Sequence, residues 1–175
     1  MYLSPMRYAT LLITLLLSPA TAQIPPEVGQ GWLPEFTHSA NQILALAEAV
    51  PADKYSWRPA PGVRSFSEVC MHVALGNYFL LGHAGIKPKS APGPVSGELE
   101  KKITEKKEVI AWLKESIAAV KEAYPSADLE KKLRFFNQDS TIGNVFLRIL
   151  VHSHEHMGQS VAYARIMGVA PPWSR

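Results

Sequence analysis

The stretch IGNVFLRILVHSHEHMGQSVAYARIMG, residues 142–168, carries apolar and imidazole side chains at helical spacing. Ile142, Val145, Ile149, His152, His156 and Tyr163 follow one another at intervals of three, four or seven, which traces one stripe of a helix. Any of residues 139–141 can cap its start, Gly168 closes it, and Pro171-Pro172 prevent continuation. At about 100° per residue, His152 and His156 lie about 40° apart and one turn along, so both face the buried side. His154, about 200° from His152, faces away.

Working outward, three more helices follow from the same periodicity. Helix one is expected from Pro34 to Val50, where Phe36, Ala40, Ile43, Ala47 and Val50 share a face and Pro51 stops the pattern. The proline-rich connector from Pro51 to Arg64 is extended and turned. Ser65 followed by Glu68 is a capping box that opens helix two, whose stripe is Phe66, Val69, Val73 and Leu80 and which ends before Gly85. Residues Lys87–Gly97 form a proline-glycine loop, either crossing a bundle end or acting as a lid. Helix three is expected from Glu98 to Tyr124, with Leu99, Ile103, Ile110, Leu113, Ile117 and Val120 on one face. Residues 128–138 read as a short helix or a packed loop. With no strand signal, the expected fold is an all-α four-helix bundle with long loops.

Composition narrows the function. Eighteen basic and fifteen acidic residues are mixed along the chain, and no basic block marks a nucleic-acid partner. A single cysteine excludes an intrachain disulfide and every cysteine-based zinc site. Cys70 is expected in the core. Residues 1–22 combine one basic residue (Arg7), an apolar run from Tyr8 to Leu17 and a small-residue Ala20-Thr21-Ala22 ending. That is the pattern of a secretory signal, with cleavage before Gln23 and an exported, periplasmic or secreted domain of residues 23–175. The run is about half the ~20 residues of a spanning helix, so no membrane span is expected once the signal is removed.

Six histidines remain to be explained. An i,i+4 pair lets two imidazoles of one helix reach one metal ion. His72, beside Val69 and Val73 on the buried side of helix two, is the candidate third ligand. His83 lies about 16 Å further along the same helix and cannot join it at one ion. His38 sits off its helix's stripe and is expected to be solvated. Burying three unpartnered imidazoles would cost ~1–3 kcal/mol each, and metal coordination would offset that. Hydrogen bonds to Ser, Gln or backbone carbonyls would satisfy them equally, so the register alone leaves both readings open.

The run His152-Ser-His-Glu-His156-Met-Gly158-Gln159, with Gly168-Val-Ala-Pro171-Pro172 behind it, resembles the C-terminal signature of the DinB/YfiT-like superfamily, H-x-x-x-H-x-G-Q followed by G-x-x-P-P. Trp57-Arg58-Pro59, Gly62, Arg64-Ser65 and His72 resemble that family's entry into its second helix. The resemblance spans Phe36 to Trp173. It implies a four-helix bundle, often a homodimer, with His72, His152 and His156 holding zinc, nickel or another divalent ion; iron and copper also suit imidazole ligands. It further implies metal-dependent transferases or isomerases that use low-molecular-weight thiols. With the chemistry of a bound ion and the expected export, three readings follow: a metal-dependent hydrolase or thiol-dependent transferase acting on a small molecule, a non-catalytic metal-binding module of the cell envelope, or a bundle that has lost its metal and serves protein interaction. Met157 stands where the family often has Arg, which removes an anionic contact.

Neutral imidazoles leave a bound ion its full charge and an open position. Gln159, on the face of His152, is expected to orient a ligand or substrate, or to hydrogen-bond within the bundle. Gly158 is expected to permit close helix approach, and Glu155 to lie on a solvated face. A carboxylate-bridged di-iron site is disfavoured, since neither core histidine has a Glu three residues before it.

Overall fold

In the computed structural model, which describes residue 26 and residues 28–174, four long helices close a ring around one core. They are α1 (Trp32–Ala49), α2 (Phe66–His83), α4 (Lys106–Ala123) and α5 (Ile142–Ile166), with a four-residue α3 (Leu99–Lys102) before α4. Both α1 and α2 pack against α4 and α5. The expected signal segment, residues 1–22, lies outside the described residues. Among the described residues no helix is long and apolar enough to cross a membrane.

Most residues of the predicted stripes form the core, while Leu99, Ile103 and Ile110 are only partly buried against it. Phe36 and Ile43 of α1, Phe66 and Val69 of α2, Leu113 and Val120 of α4, and Val145 and Ile149 of α5 are all essentially inaccessible. Cys70 is buried among them, as expected.

Helix ends are fixed by specific groups. The amide of Glu68 donates to Ser65 Oγ at 3.3 Å, and the Ser65 amide returns a bond to Glu68 Oε2 at 2.7 Å, completing the capping box. Arg58 holds the same carboxylate with two contacts of 3.1 Å. Helix α1 has no basic residue in its last turn; Lys106, at the start of α4, donates instead to Glu48 O and Val50 O at 2.7 and 2.8 Å. Thr141 caps α5 by accepting from the Asn144 amide. Gly168, at φ +76°, ends it in the left-handed conformation, with the Val169 amide reaching back to Ala164 O.

Two expectations need correction. The predicted third helix, 98–124, is broken at residues 103–105. Ile103 turns extended at ψ 104°, and α3 instead packs on α2, where Glu100 meets Arg64 and His72. The contacts of Glu100 with Arg64 and His72 are available only with the helix broken here.

Residues 128–138 hold neither a helix nor a mere packed loop. Strand β1 (Lys132–Phe135) pairs antiparallel with β2 (Gln138–Thr141), Phe135 opposite Gln138. Phe136 and Asn137, at φ +46° and +63°, make the two-residue turn whose twist suits a hairpin.

The capping box makes stability depend on acid. Burial pushes the Glu68 carboxyl up, but the Ser65 amide and Arg58 more than reverse this and hold it below its ordinary value of 4.5. A depressed folded-state pKa stabilises above the unfolded value, and this contribution is lost as pH falls through the folded one. Urea denaturation is expected to show Glu68→Gln less stable than the parent near neutral pH, with the gap closing in acid. Ser65→Ala is expected to cost about 1 kcal/mol.

Candidate metal centre

His72 projects from the second turn of α2, and His152 and His156 from the middle of α5. The structure brings the three together: one ring nitrogen from each lies within 4.8 Å of the others. Ring centroids are 4.9 Å apart for His72–His152, 4.8 Å for His72–His156 and 4.5 Å for His152–His156. His152 and His156 are buried, and His72 is about a quarter exposed (27%).

Two of the rings have their tautomer fixed by an oxygen. His72 Nδ1 lies 2.9 Å from Glu100 Oε2 and His156 Nδ1 lies 2.8 Å from Gln159 Oε1. Carboxylate and amide oxygens only accept, so each Nδ1 carries the proton and each Nε2 presents a lone pair. Glu100 is itself gripped by Arg64, at 2.6 Å from Nε. Gln159 is set by its amide donating to Tyr163 Oη at 3.0 Å, and Tyr163 packs edge-on against Trp57 at 5.3 Å.

His152 differs. Its Nε2 lies 3.1 Å from His72 Nε2, and its Nδ1 is buried with no hydrogen-bond partner. Nitrogens on a tetrahedral ion, with bonds of about 2.0–2.1 Å, sit about 3.3 Å apart. The His72–His152 spacing is close to that value.

At His152 and His72 the environment also favours the neutral form, the one that ligates. Burial, reinforced by the charges His156 and His72 would carry, pushes His152 down to about 3. Burial lowers His72 too, against the opposing Glu100 hydrogen bond. Three oriented imidazoles of this kind can hold one divalent metal ion.

The other histidines stand apart from the cluster. His154 faces outward and donates Nδ1–H to Leu150 O. His83 packs among Phe79, Phe135 and Phe136. His38 is half-buried on α1. Glu155 is exposed, as expected, and is paired with Arg148.

The glycine expectation was misplaced. Gly158 is exposed, and a Cβ there would meet nothing within 4 Å. Close approach belongs to Gly76 on α2, where a Cβ would stand 2.5 Å from His152 Cε1. Sequence reasoning missed Gly76 and Glu100. Gly76 follows His72 at i+4, a spacing that signals the same helix face; Glu100 lies in a run of similar charges with no distinguishing mark.

Residues 35–160 match the family model of the DinB superfamily. The chain belongs to that superfamily. Its DinB fold is similar to the crystal structure of a DinB-like protein from Bacillus cereus ATCC 10987, 21% identical, with TM-score 0.68 over 82% of this chain and 95% of that one. It is also similar to a DinB-like protein, YjoA, from Bacillus subtilis, 19% identical, with TM-score 0.52 over 78% and 92% of the two chains. At such identities the likeness is one of fold. No curated protein matches this DinB-like chain.

A methyl group at position 76 would push into His152. Gly76→Ala is therefore expected to weaken divalent-metal uptake by about tenfold or more, measured by competition with a chelating dye, with helix content by circular dichroism unchanged. Gly158→Ala is expected to bind as the parent does.

Proposed function

We propose that this protein binds a divalent metal ion, zinc or nickel before iron or copper, through His72, His152 and His156, and acts as a metal-dependent enzyme on a small molecule. The supporting observation is the fixed tautomers of His72 and His156, which leave two Nε2 lone pairs beside the His152 ring. An ion held by three neutral imidazoles supplies Lewis acidity and lowers the pKa of a bound water or thiol.

The chain's own residues do the rest. Glu100 and Gln159 hold protons on the far nitrogens of two ligands, keeping those rings oriented. Arg64 pairs with Glu100 and holds it in place. His152 and His156 are buried, while His72 lines a cavity of about 800 Å³. Substrate would enter there. The residue 1–22 signal, on our reading, exports the domain, and low-molecular-weight thiols are mainly cytoplasmic, so water is the favoured reactant and hydrolysis the favoured reaction.

A non-catalytic metal-binding module is the second reading. It is favoured by the engagement of nearby carboxylates: Glu100 is held by Arg64 and His72, and Glu155 by Arg148. Neither can carry a proton without first breaking a pair.

Elemental analysis is expected to find about one ion per chain in the parent and little in His72→Ala or His152→Ala; equal content in all three would end the metal reading. Glu100→Ala is expected to lose about 10–100-fold in metal affinity. Chelator-sensitive turnover of an ester and amide panel would establish the hydrolase. Stoichiometric metal without turnover would favour the module.

A further inference from the structure

The cavity beside His72 runs along α2. Its floor is one stripe of that helix: His72, Leu75, Gly76, Phe79, Gly82 and His83. From His72 to His83 this stripe is about 16 Å long at 1.5 Å per residue. The opposite wall is the 87–97 loop, with Pro88, Ala91 and Val95 facing the space. The loop is thus neither a simple bundle crossing nor a detached flap. Tyr78 Oη donates to Ser90 O, Ser90 Oγ donates to Glu115, and Lys89 pairs with Glu122, so the wall is anchored to α2 and α4.

The two ends differ in chemistry. The polar end is His72 with Glu100. At the far end His83 is ringed by aromatic side chains, 4.6 Å from Phe79 and 5.4 Å from both Phe135 and Phe136. Phe79 and Phe136 are more than half exposed (52% and 63%) although they touch this cluster. Phe136 also holds a left-handed backbone that a bulky residue adopts only at a cost.

Charge decides the ligand class. Among the described lining residues the Lys and Glu side chains are already paired: Lys89 with Glu122, and Glu100 with Arg64 and His72. The described lining holds no arginine, and its one lysine, Lys89, is mostly exposed and turned to Glu122 at the surface. The two glycines widen the space, and a Cβ at Gly82 would meet nothing within 4 Å. A volume of about 800 Å³ lies in the range of small-molecule sites, roughly 300–1,000 Å³.

We propose that this cavity binds an uncharged, elongated, largely apolar small molecule, with its one polar end at His72 and its body along the Gly76–Phe79–Gly82 stripe, against the aromatic cluster. This rests on the metal-site reading for the role of the polar end, but the cavity's selectivity stands on its own lining. The lining itself offers an anion no arginine and one surface lysine already paired, so any attraction for an anion would have to come from an ion held at His72.

A matched pair of fluorescent probes tests this on the full chain. N-phenyl-1-naphthylamine is neutral, and 8-anilino-1-naphthalenesulfonate is the same body with a sulfonate. The neutral probe is expected to bind saturably and at least about tenfold more tightly than the sulfonate. Gly82→Leu, whose Cβ would meet nothing within 4 Å and whose side chain would occupy the cavity, is expected to reduce its affinity at least about tenfold. Phe79→Ser, at a half-exposed position, is expected to reduce it as well.

Equal binding of both probes, or unchanged binding in both variants, would overturn the proposal. So would an affinity that falls as protein concentration is raised, because a second copy would then be the occupant. Metal content measured on the same samples separates the two readings. Gly82-dependent binding of the neutral probe to metal-free protein would uphold the cavity and remove the metal function. Bound metal with no selective probe binding would do the reverse.

Discussion

Helices α2 and α5 meet where one of them has no side chain. The His152 ring occupies the space that a Cβ on Gly76 would take, 2.5 Å from its Cε1. That contact sets how closely the two helices approach beside the cluster, and so whether His72 on one can face His152 on the other at 3.1 Å. The helices supply rigid spacing along each axis; the glycine supplies the separation between axes. The same absence of a side chain widens the cavity floor, so the cluster and its approach share one cause.

Positioning then spreads outward through two chains of contacts. One runs from His72 through Glu100 to Arg64 at the mouth of α2. The other runs from His156 through Gln159 and Tyr163 to Trp57. Both end in the connector before α2, which also carries Arg58, the partner of Glu68. The connector thus ties the bundle's cap to its centre. A segment whose prolines keep it from continuing as an α-helix acts as the frame on which two imidazoles are oriented.

Much of this was legible in the sequence, and the exceptions have physical reasons. The registers of α1, α2 and α5 follow from apolar spacing, because burial of a stripe is a local periodic signal. The pairing of His152 with His156 and the outward turn of His154 follow from the same arithmetic. The break at 103–105 does not, since Ile103 fits the helical stripe and leaves it only for contacts that α3 makes with α2. The alternation Lys-Leu-Arg-Phe of β1 is present but only four residues long, too short to separate from a loop. Gly158 sits in a recognisable motif yet faces open space, whereas Gly76 sits in none and meets a histidine. Glycine's value at close approach depends on the opposing surface, which a single sequence does not contain.

Cys70 has a consequence of its own. Complete enclosure pushes its ionisation up to about 12, so at neutral pH it is neither a nucleophile nor a soft ligand competing with the imidazoles. It is also the molecule's only cysteine. While folded, the chain has no reactive sulfhydryl to offer: oxidants find no sulfenic acid to make, and neighbouring molecules find no partner for exchange. Any sulfur-based reaction at the histidines must therefore bring its sulfur from outside.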